Sequence, residues 1–242
     1  MFGACILVID YSPHEMYIAI DTSTDTASLA IVEEGSIIAE STWRCGQDHT
    51  TQLLPALSNL LKQVGLDMKE TMGIIIARGP GSYNGLRVGL STAKGLAFSL
   101  EVPLVGISTL EAEAYQQAGR GPQVCAVFNA GRGEIAAAIY QLQGERWRQL
   151  LAEHITTLEA LCSQVNAPTV FCGEFLPALA GELSSRLGDK AILVSPAGRL
   201  RRAGYLAELG LRRLNSRDYD DPATLQPLYL RAPAITIPKH HQ

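Results

Sequence analysis

The chain has 242 residues, of which 47% are hydrophobic, 18% charged and 6% aromatic. This composition is typical of a globular protein with an aliphatic core, and it excludes a disordered or fibrous chain. The formal net charge is −4. Because clustered Lys and Arg supply most of the affinity for phosphates, we expect no tight binding of nucleic acid by this chain alone.

The first half of the chain alternates strand and helix patterns. Turn residues separate three short strands, and apolar residues at helical spacing mark the helices that follow. The predicted strands lie at 17–21, 27–33, 36–43, 73–77 and 104–106, and the predicted helices at 49–64, 86–100 and 108–117. The order β-β-β-α-β-α-β-α predicts an α/β protein with a mixed sheet, the ribonuclease-H-like unit of actin-like folds.

The second half repeats this order without a visible sequence repeat, so the duplication is inferred from the element order alone. A linker at 119–122 precedes strands and helices of the same kinds. The predicted strands lie at 123–129, 134–142, 146–154, 169–172 and 191–194, and the predicted helices at 157–164, 176–187 and 200–214. We therefore expect an actin-like, two-lobed fold.

The predicted domain boundaries follow from this order. They place an N-terminal lobe at 16–118, a degenerate second lobe at 119–233 and a tail at 234–242. Residues 1–15 do not fit the plan, because the first strand begins at Tyr17, directly after Met16. We hypothesise that Met16 is the biological start, which N-terminal sequencing of the native protein would test.

The five cysteines are widely spaced and form no CxxC pair, so the sequence predicts neither a zinc site nor a redox motif. They are Cys5, Cys45, Cys125, Cys162 and Cys172. We interpret them as reduced core residues. No apolar run approaches the roughly 20 residues that a membrane helix needs. The sequence therefore predicts a soluble, cytoplasmic protein.

The most distinctive stretch, at 78–87, reads Arg-Gly-Pro-Gly-Ser-Tyr-Asn-Gly-Leu-Arg. Glycines between a strand and a helix allow another group to approach closely, and a helix start offers free N–H groups to an anion. The stretch is neither a Walker loop nor a dinucleotide fingerprint. Two interpretations stay open: a structural turn that shapes a partner surface, and a phosphate site at Gly79, Gly81 and Ser82.

The helix after this stretch carries Gly85, Gly89, Ala93 and Ala97 at intervals of four residues. One face is therefore nearly free of side chains and permits close packing. Because Gly costs up to about 1 kcal/mol inside a helix, a packing partner must offset the loss. That partner is either a neighbouring element of the fold or another chain.

Asp21, Thr22 and Ser23 form a second candidate site at the end of the first strand. A carboxylate and hydroxyls at such a position are similar to the loop of actin-like ATPases that binds phosphate and the water shell of Mg²⁺. The other interpretation is a β-turn closed by its own side-chain hydrogen bonds. An ATP-binding phosphotransferase or ATPase that uses Asp21 and residues 79–82 is thus the alternative function.

The histidines form no HxxxH or HExxH pair, so we predict no metal site in this chain. We interpret His49 as a surface residue. Six arginines near the C-terminal helix predict either a basic face for a partner or RNA, or an ordinary solvated surface. They are Arg199, Arg201, Arg202, Arg212, Arg213 and Arg217.

Four stretches together resemble the TsaB family of tRNA threonylcarbamoyladenosine biosynthesis proteins. They are Ile-Ala-Ile-Asp-Thr-Ser at 18–23, Gly-Gln-Asp-His-Thr at 46–50, the glycine-rich stretch at 78–89 and Pro-Leu-Tyr-Leu-Arg at 227–231. The glycine-rich stretch is the most specific. The sequence departs from the family at Tyr83-Asn84, where Phe-Thr is usual, and at 129–131, where Asn-Ala-Gly replaces Asp-Ala-Arg.

The resemblance implies a non-catalytic subunit of a complex that modifies tRNA. Such a subunit supports a catalytic paralogue, TsaD, and works with a small P-loop ATPase, TsaE. Together they transfer a threonylcarbamoyl group to the adenosine beside the anticodon. No cofactor is implied for this chain, whereas ATP and a metal are implied for the partners, and tRNA is contacted only through the complex. A metallopeptidase is disfavoured by the missing histidine ligands.

The resemblance also implies docking through the helices at 49–64 and 85–99. On these helices we predict a partner interface that includes Leu53, Leu57, Gly85, Gly89 and Ala93, so that Ala93→Glu abolishes pairing. Whether the isolated protein also forms a homodimer is left open by the sequence.

Overall fold

The computed structural model describes residues 15–231, which form two lobes, each built on a five-stranded mixed sheet. The first sheet has the order β3-β2-β1-β4-β5, in which β1 is antiparallel to β2 and parallel to β4. Its strands are β1 (Met16–Asp21), β2 (Thr26–Glu33), β3 (Ser36–Arg44), β4 (Thr71–Ala77) and β5 (Leu104–Ile107).

The second sheet repeats this arrangement, since its order β8-β7-β6-β9-β10 has the same pattern of antiparallel and parallel neighbours. Its strands are β6 (Gln123–Gly131), β7 (Glu134–Gln143), β8 (Arg146–Thr156), β9 (Thr169–Cys172) and β10 (Ala191–Leu193). The duplication inferred from the element order is therefore confirmed.

Three helices follow the strands of each sheet at the same places. In the first lobe they are α1 (His49–Val64), α2 (Tyr83–Leu100) and α3 (Thr109–Tyr115), and in the second lobe α4 (Leu158–Gln164), α5 (Leu176–Leu187) and α6 (Ala203–Asn215). Helix α2 begins three residues before its predicted start because the Ser82 side chain accepts the N–H of Gly85 as a cap.

The third helix of each lobe packs on the sheet of the other lobe. Helix α6 covers the first sheet, where Leu206 and Ala207 lie in one core cluster with Ile75. Helix α3 covers the second sheet, where Leu110 and Ala114 join the second-lobe core. The predicted boundary at 118/119 divides the chain, but the two packing units exchange a helix across it.

The two faces of the first sheet differ in side-chain size. Towards α1 and α2, strand residues such as Ile18 and Ile74 build a core of large aliphatic side chains. Towards α6, the sheet presents smaller residues such as Ala19 and Ala30. A Cβ at Gly210 would lie closer than 3 Å to three side-chain atoms of Ile75, so α6 approaches this face closely because it lacks a side chain there.

Two further predictions concern the ends of the chain. The extra N-terminal segment, except for residue 15, and the tail at 234–242 lie outside the described residues. Strand β1 begins at Met16, one residue before the predicted start. The hypothesis that Met16 is the biological start stays a prediction.

Candidate functional site

Helices α1 and α2 turn their predicted interface residues inward. Leu53 is 1% exposed, and Leu57 and Ala93 are 0% exposed. Gly85 and Gly89 are also buried. The prediction that these five residues face a partner is wrong, because the periodic stripe of a helix marks the side that covers its own sheet. Ala93→Glu would bury a carboxylate in the core and disrupt the fold.

The small-residue stripe of α2 has its packing partner inside the fold. A Cβ at Gly85 would overlap the carbonyl oxygen of Thr22, and a Cβ at Gly89 would overlap the hydroxyl of the same residue. That hydroxyl donates a hydrogen bond to the Gly85 carbonyl at 2.8 Å. Of the two alternatives left by the sequence, close packing within the lobe is correct.

The outward sides of the same helices expose apolar side chains. Phe98 on α2 is 85% exposed and Leu54 on α1 is 50% exposed. Ser91 and Gly95, which precede Phe98 at helical spacing, are also exposed. We call Leu54, Ser91, Gly95 and Phe98 the outer helix face. Exposed large apolar side chains beside small residues are typical of a surface that contacts another protein.

The glycine-rich turn packs directly on the segment that ends β1. The N–H of Ser82 donates to the Ser23 carbonyl at 2.6 Å, and a Cβ at Gly81 would overlap that carbonyl oxygen. The backbone N–H and the hydroxyl of Ser23 both donate to Asp21, at 2.9 and 2.5 Å. The candidate phosphate-binding groups are thus engaged with each other, which favours the structural turn over an anion site.

Two stretches of the family resemblance meet at this turn. The N–H of Leu228 donates to the Arg78 carbonyl at 2.7 Å. The rings of Tyr83 and Tyr229 stack with their centroids 5.6 Å apart, and the guanidinium of Arg87 lies 3.9 Å from the centroid of the Tyr83 ring. Stretches at 78–89 and 227–231 are therefore parts of one contact, although they are far apart in the chain.

A cleft of about 410 Å³ separates the glycine-rich turn from the second lobe. None of its lining residues is basic, and two are acidic. They are Thr24, Asp25, Gly81, Ser82, Phe128, Asn129, Glu174 and Phe175. Because nucleotide phosphates are bound by cationic groups and free N–H donors, this lining disfavours the ATP-binding alternative.

Behind the cleft, Arg201 is buried between the lobes with 3% exposure. Its Nη1 donates to both carboxylate oxygens of Asp21, each at 3.2 Å. Its Nε lies 3.7 Å from a Glu113 oxygen, and its Nη2 lies 3.6 Å from a Glu174 oxygen. We call these four residues the interlobe ion cluster. The sequence analysis placed Arg201 on an exposed basic face. This was wrong, because the burial of a side chain depends on groups that are far away in the sequence.

Glu113 is the member of the cluster that the sequence did not single out. Burial raises its pKa to about 7. The Arg201 guanidinium opposes this rise, and the Glu174 and Asp21 carboxylates add to it. One signal was available: Glu113 follows Leu110 by three residues, which places a carboxylate on the apolar face of α3.

His49 is 3% exposed, so its interpretation as a surface residue is wrong. Its Nε2 lies 2.8 Å from the carbonyl oxygen of Thr24. A Cβ at Gly85 would lie 3.3 Å from the ring. The ring therefore fills the space between the start of α1, the start of α2 and the segment after β1.

The predicted basic face is not a continuous helix surface. Three of the six arginines precede α6, which begins at residue 203. Arg202 pairs with Glu40 at 2.6 Å, and Arg213 pairs with Asp218 at 2.7 Å. These pairs neutralise part of the positive charge, so a basic surface for RNA is not favoured here.

Cys45, Cys125 and Cys172 are buried, and Cys162 is half-buried. Burial raises the pKa of the Cys125 and Cys172 thiols, so both stay protonated and unreactive at neutral pH. The core interpretation is confirmed for the three buried thiols, and Cys5 lies outside the described residues.

Within residues 15–231, no helix is long and apolar enough to cross a membrane. The same residues contain no group of three or more His, Cys, Asp or Glu side chains that could hold a metal ion.

Comparison with known proteins identifies the family. A family model described as tRNA N6-adenosine threonylcarbamoyltransferase (TsaD) matches residues 41–238. The tRNA threonylcarbamoyladenosine biosynthesis protein TsaB of Bacillus subtilis is 29% identical over 88% of this chain and 93% of its own length. The protein of that name from Escherichia coli is 34% identical over 51% of this chain and 54% of its own length.

A solved structure agrees with these matches. YeaZ from Pseudomonas aeruginosa superposes with a TM-score of 0.75 at 25% identity, covering 89% of this chain and 100% of the solved chain. The two-lobed fold is therefore shared over nearly its whole length. The chain belongs to the tRNA N6-adenosine threonylcarbamoyltransferase family, as one of its TsaB-type members.

Proposed function

We propose that the protein is a non-catalytic subunit of the assembly that makes threonylcarbamoyladenosine in tRNA, and that it supports the catalytic paralogue TsaD by docking through the outer helix face. The names of two similar proteins refer to this modification, which supports a role for the chain in the same process. Support for a non-catalytic role comes from the site, because Asp21, Thr22 and Ser82 are engaged in internal contacts.

The observation that carries the docking proposal is the 85% exposure of Phe98. A phenylalanine that stays in water forgoes roughly 2 kcal/mol of burial free energy. It lies one turn beyond Gly95, where nothing lies within 4 Å of an added Cβ. A partner helix can therefore approach the α2 backbone closely while Phe98 enters a pocket on the partner.

A matched pair of glycine substitutions tests this docking. Gly95 on α2 and Gly181 on α5 are both exposed, helical and free of neighbours within 4 Å of an added Cβ. Gly95→Glu and Gly181→Glu therefore change the chain chemically in the same way, and each should raise helix stability by up to about 1 kcal/mol. Only Gly95→Glu places a carboxylate on the outer helix face.

We expect Gly95→Glu to weaken binding to the TsaD paralogue from the same cells by at least roughly 100-fold, about 2.7 kcal/mol. Gly181→Glu should bind like the wild type. Titration calorimetry with the two purified proteins gives both affinities. Equal affinities for the two variants, or no binding by the wild type, would overturn the proposal.

Further elements of the proposed assembly follow from the same role. TsaE is proposed as a third component, with ATP and a metal held by the partners and tRNA reached only through the complex. The proposed place of action is the cytoplasm.

In isolation, two copies of this chain are proposed to pair through the outer helix face, so Gly95→Glu should convert a homodimer to a monomer in light scattering.

A further inference from the structure

The interlobe ion cluster joins four separate elements. Asp21 ends β1, Glu113 lies in α3, Glu174 follows β9, and Arg201 lies two residues before α6. Helices α3 and α6 are the two that cross to the opposite sheet. The cluster therefore lies where the chain passes twice between the lobes, and it is a contact through which one lobe can fix the other.

Three different nitrogens of Arg201 face the three carboxylates, and of these only Nη1 makes hydrogen bonds. Nη1 contacts Asp21 at 3.2 Å, Nε faces Glu113 at 3.7 Å, and Nη2 faces Glu174 at 3.6 Å. The guanidinium also lies 5.0 Å from the centroid of the Phe128 ring in β6. The guanidinium holds three nitrogen atoms in a fixed planar fork, whereas a lysine ammonium has a single nitrogen atom, so a lysine cannot occupy the same three positions.

The segment from Asp21 to Thr24 connects Arg201 to the N-terminal ends of α1 and α2. Nη1 of Arg201 also bonds the Ser23 hydroxyl, and the Ser23 carbonyl holds the N–H of Ser82 at the start of α2. The Thr24 carbonyl bonds His49 at the start of α1. Both helices are thus anchored at their N-terminal ends to a segment that Arg201 ties to the second lobe.

We propose that Arg201 is a positioning residue that fixes this segment against the second lobe and thereby sets the orientation in which α1 and α2 present the outer helix face to the TsaD-type partner. This inference rests on the proposed function. It assigns control over partner affinity to a residue that is buried between the lobes.

Arg201→Lys is the variant that separates positioning from charge. It keeps the positive charge among the three carboxylates but replaces the three fixed nitrogen atoms of the guanidinium by a single one. Arg202→Lys is the matched control, because Arg202 is the next residue and pairs with Glu40 at the surface. Glu174→Gln, measured in parallel, removes one arm of the cluster at its more exposed edge.

Two measurements on the folded full-length proteins test the positioning role of Arg201. Hydrogen exchange in Arg201→Lys should quicken at least roughly tenfold at the amides of Ser82 and Leu86 and stay unchanged in α5. Affinity for the TsaD paralogue should fall by at least roughly tenfold. Glu174→Gln should show a smaller loss of the same kind, and Arg202→Lys none.

The outcomes separate this inference from the proposed function. If wild-type protein and Arg202→Lys bind the paralogue but Arg201→Lys and Glu174→Gln bind equally well, the positioning role is wrong and the proposed function stands. A lower melting temperature without local exchange or affinity change would mean that the cluster only stabilises the fold, which also overturns the inference. Absence of binding by the wild type would instead refute the proposed function.

Discussion

The two lobes share one sheet topology but differ in what their outer helices show to solvent. In the first lobe, α1 and α2 span 16 and 18 residues and leave Leu54 and Phe98 exposed. In the second lobe, α4 and α5 span 7 and 12 residues. Their surface carries Arg186, which lies 2.7 Å from Glu182 and 3.7 Å from Glu159. The same architecture thus builds one surface suited to a partner and one suited to water.

The turns that lead into α2 and α5 remain equivalent despite this difference. Gly79 follows β4 with φ +110°, and Gly173 follows β9 with φ +113°. A Cβ at Gly173 would overlap the Val127 carbonyl oxygen, and a Cβ at Gly79 would approach the Leu228 carbonyl oxygen to 2.9 Å. Both turns therefore require a glycine, whereas the exposed surfaces of the helices that follow them differ.

The largest expected effect tests that equivalence. Gly173→Ala should destabilise the protein by about 3 kcal/mol and Gly79→Ala by about 2 kcal/mol, because each adds a Cβ at positive φ beside a carbonyl oxygen. Gly181→Ala, at an open helical position, should stabilise by up to about 1 kcal/mol. Urea denaturation measures all three. If only one of the two turns responds, the lobes are not equivalent there.

The next effect tests the difference between the outer surfaces. Phe98→Ser should weaken binding to the TsaD paralogue by about 2 kcal/mol and leave the free energy of unfolding of the free chain unchanged, since the ring is exposed. Leu150→Ser is the control on β8 of the second lobe, where the side chain is 49% exposed. A similar loss for both variants would mean that partner binding is not confined to the first lobe.

An effect that is smaller per pH unit concerns the contact between the lobes. The pKa of Glu113 is raised from 4.5 to about 7 in the folded state. The folded protein therefore binds more protons than the unfolded chain between these values, and stability falls as pH rises from 4.5 through 7, by at most about 1.4 kcal/mol per pH unit. Glu113→Gln should remove this contribution. Denaturation curves at pH 5, 6, 7 and 8 test it, and identical pH profiles would contradict it.

The smallest effect is expected at the solvated surface of the second lobe. Arg186→Ala removes the ion pairs with Glu182 and Glu159, in which every side chain is at least 40% exposed. Such pairs contribute about 0.5 kcal/mol or less. Thermal unfolding and partner titration should both stay close to wild type. A large loss of partner affinity would show that the polar surface of α5 also takes part in docking.

Sequence patterns predicted the elements well where each pattern is local. Helix α1 has its predicted bounds at 49–64, and β9 has its predicted bounds at 169–172. The apolar pattern lies within each element, and Gly65, directly after α1, caps the helix in the left-handed conformation. The glycine-rich stretch identified the family for a related reason. Gly79 has a positive φ, and a Cβ at Gly81 would overlap the Ser23 carbonyl oxygen. Glycine is therefore required at both positions, and the stretch can be recognised from the sequence.

Side-chain roles were harder to predict because they depend on contacts from elsewhere in the chain. Ala93 was placed at an interface although it lies in the core, and His49 was placed on the surface although it bonds Thr24. In both cases the helix was correct and the direction of the side chain was wrong. A helical pattern shows that one face is buried but does not show which neighbour covers it.

The sequence by itself determined the order of elements, the two-lobed α/β fold and the family, because periodicity, turn residues and motif spacing are properties of short segments. Only the tertiary structure decided that α3 and α6 cross to the opposite sheets, that Arg201 is buried among three carboxylates, and that Phe98 rather than Ala93 faces outward. These features arise from packing between segments distant in the chain, where burial and charge pairing override local preference.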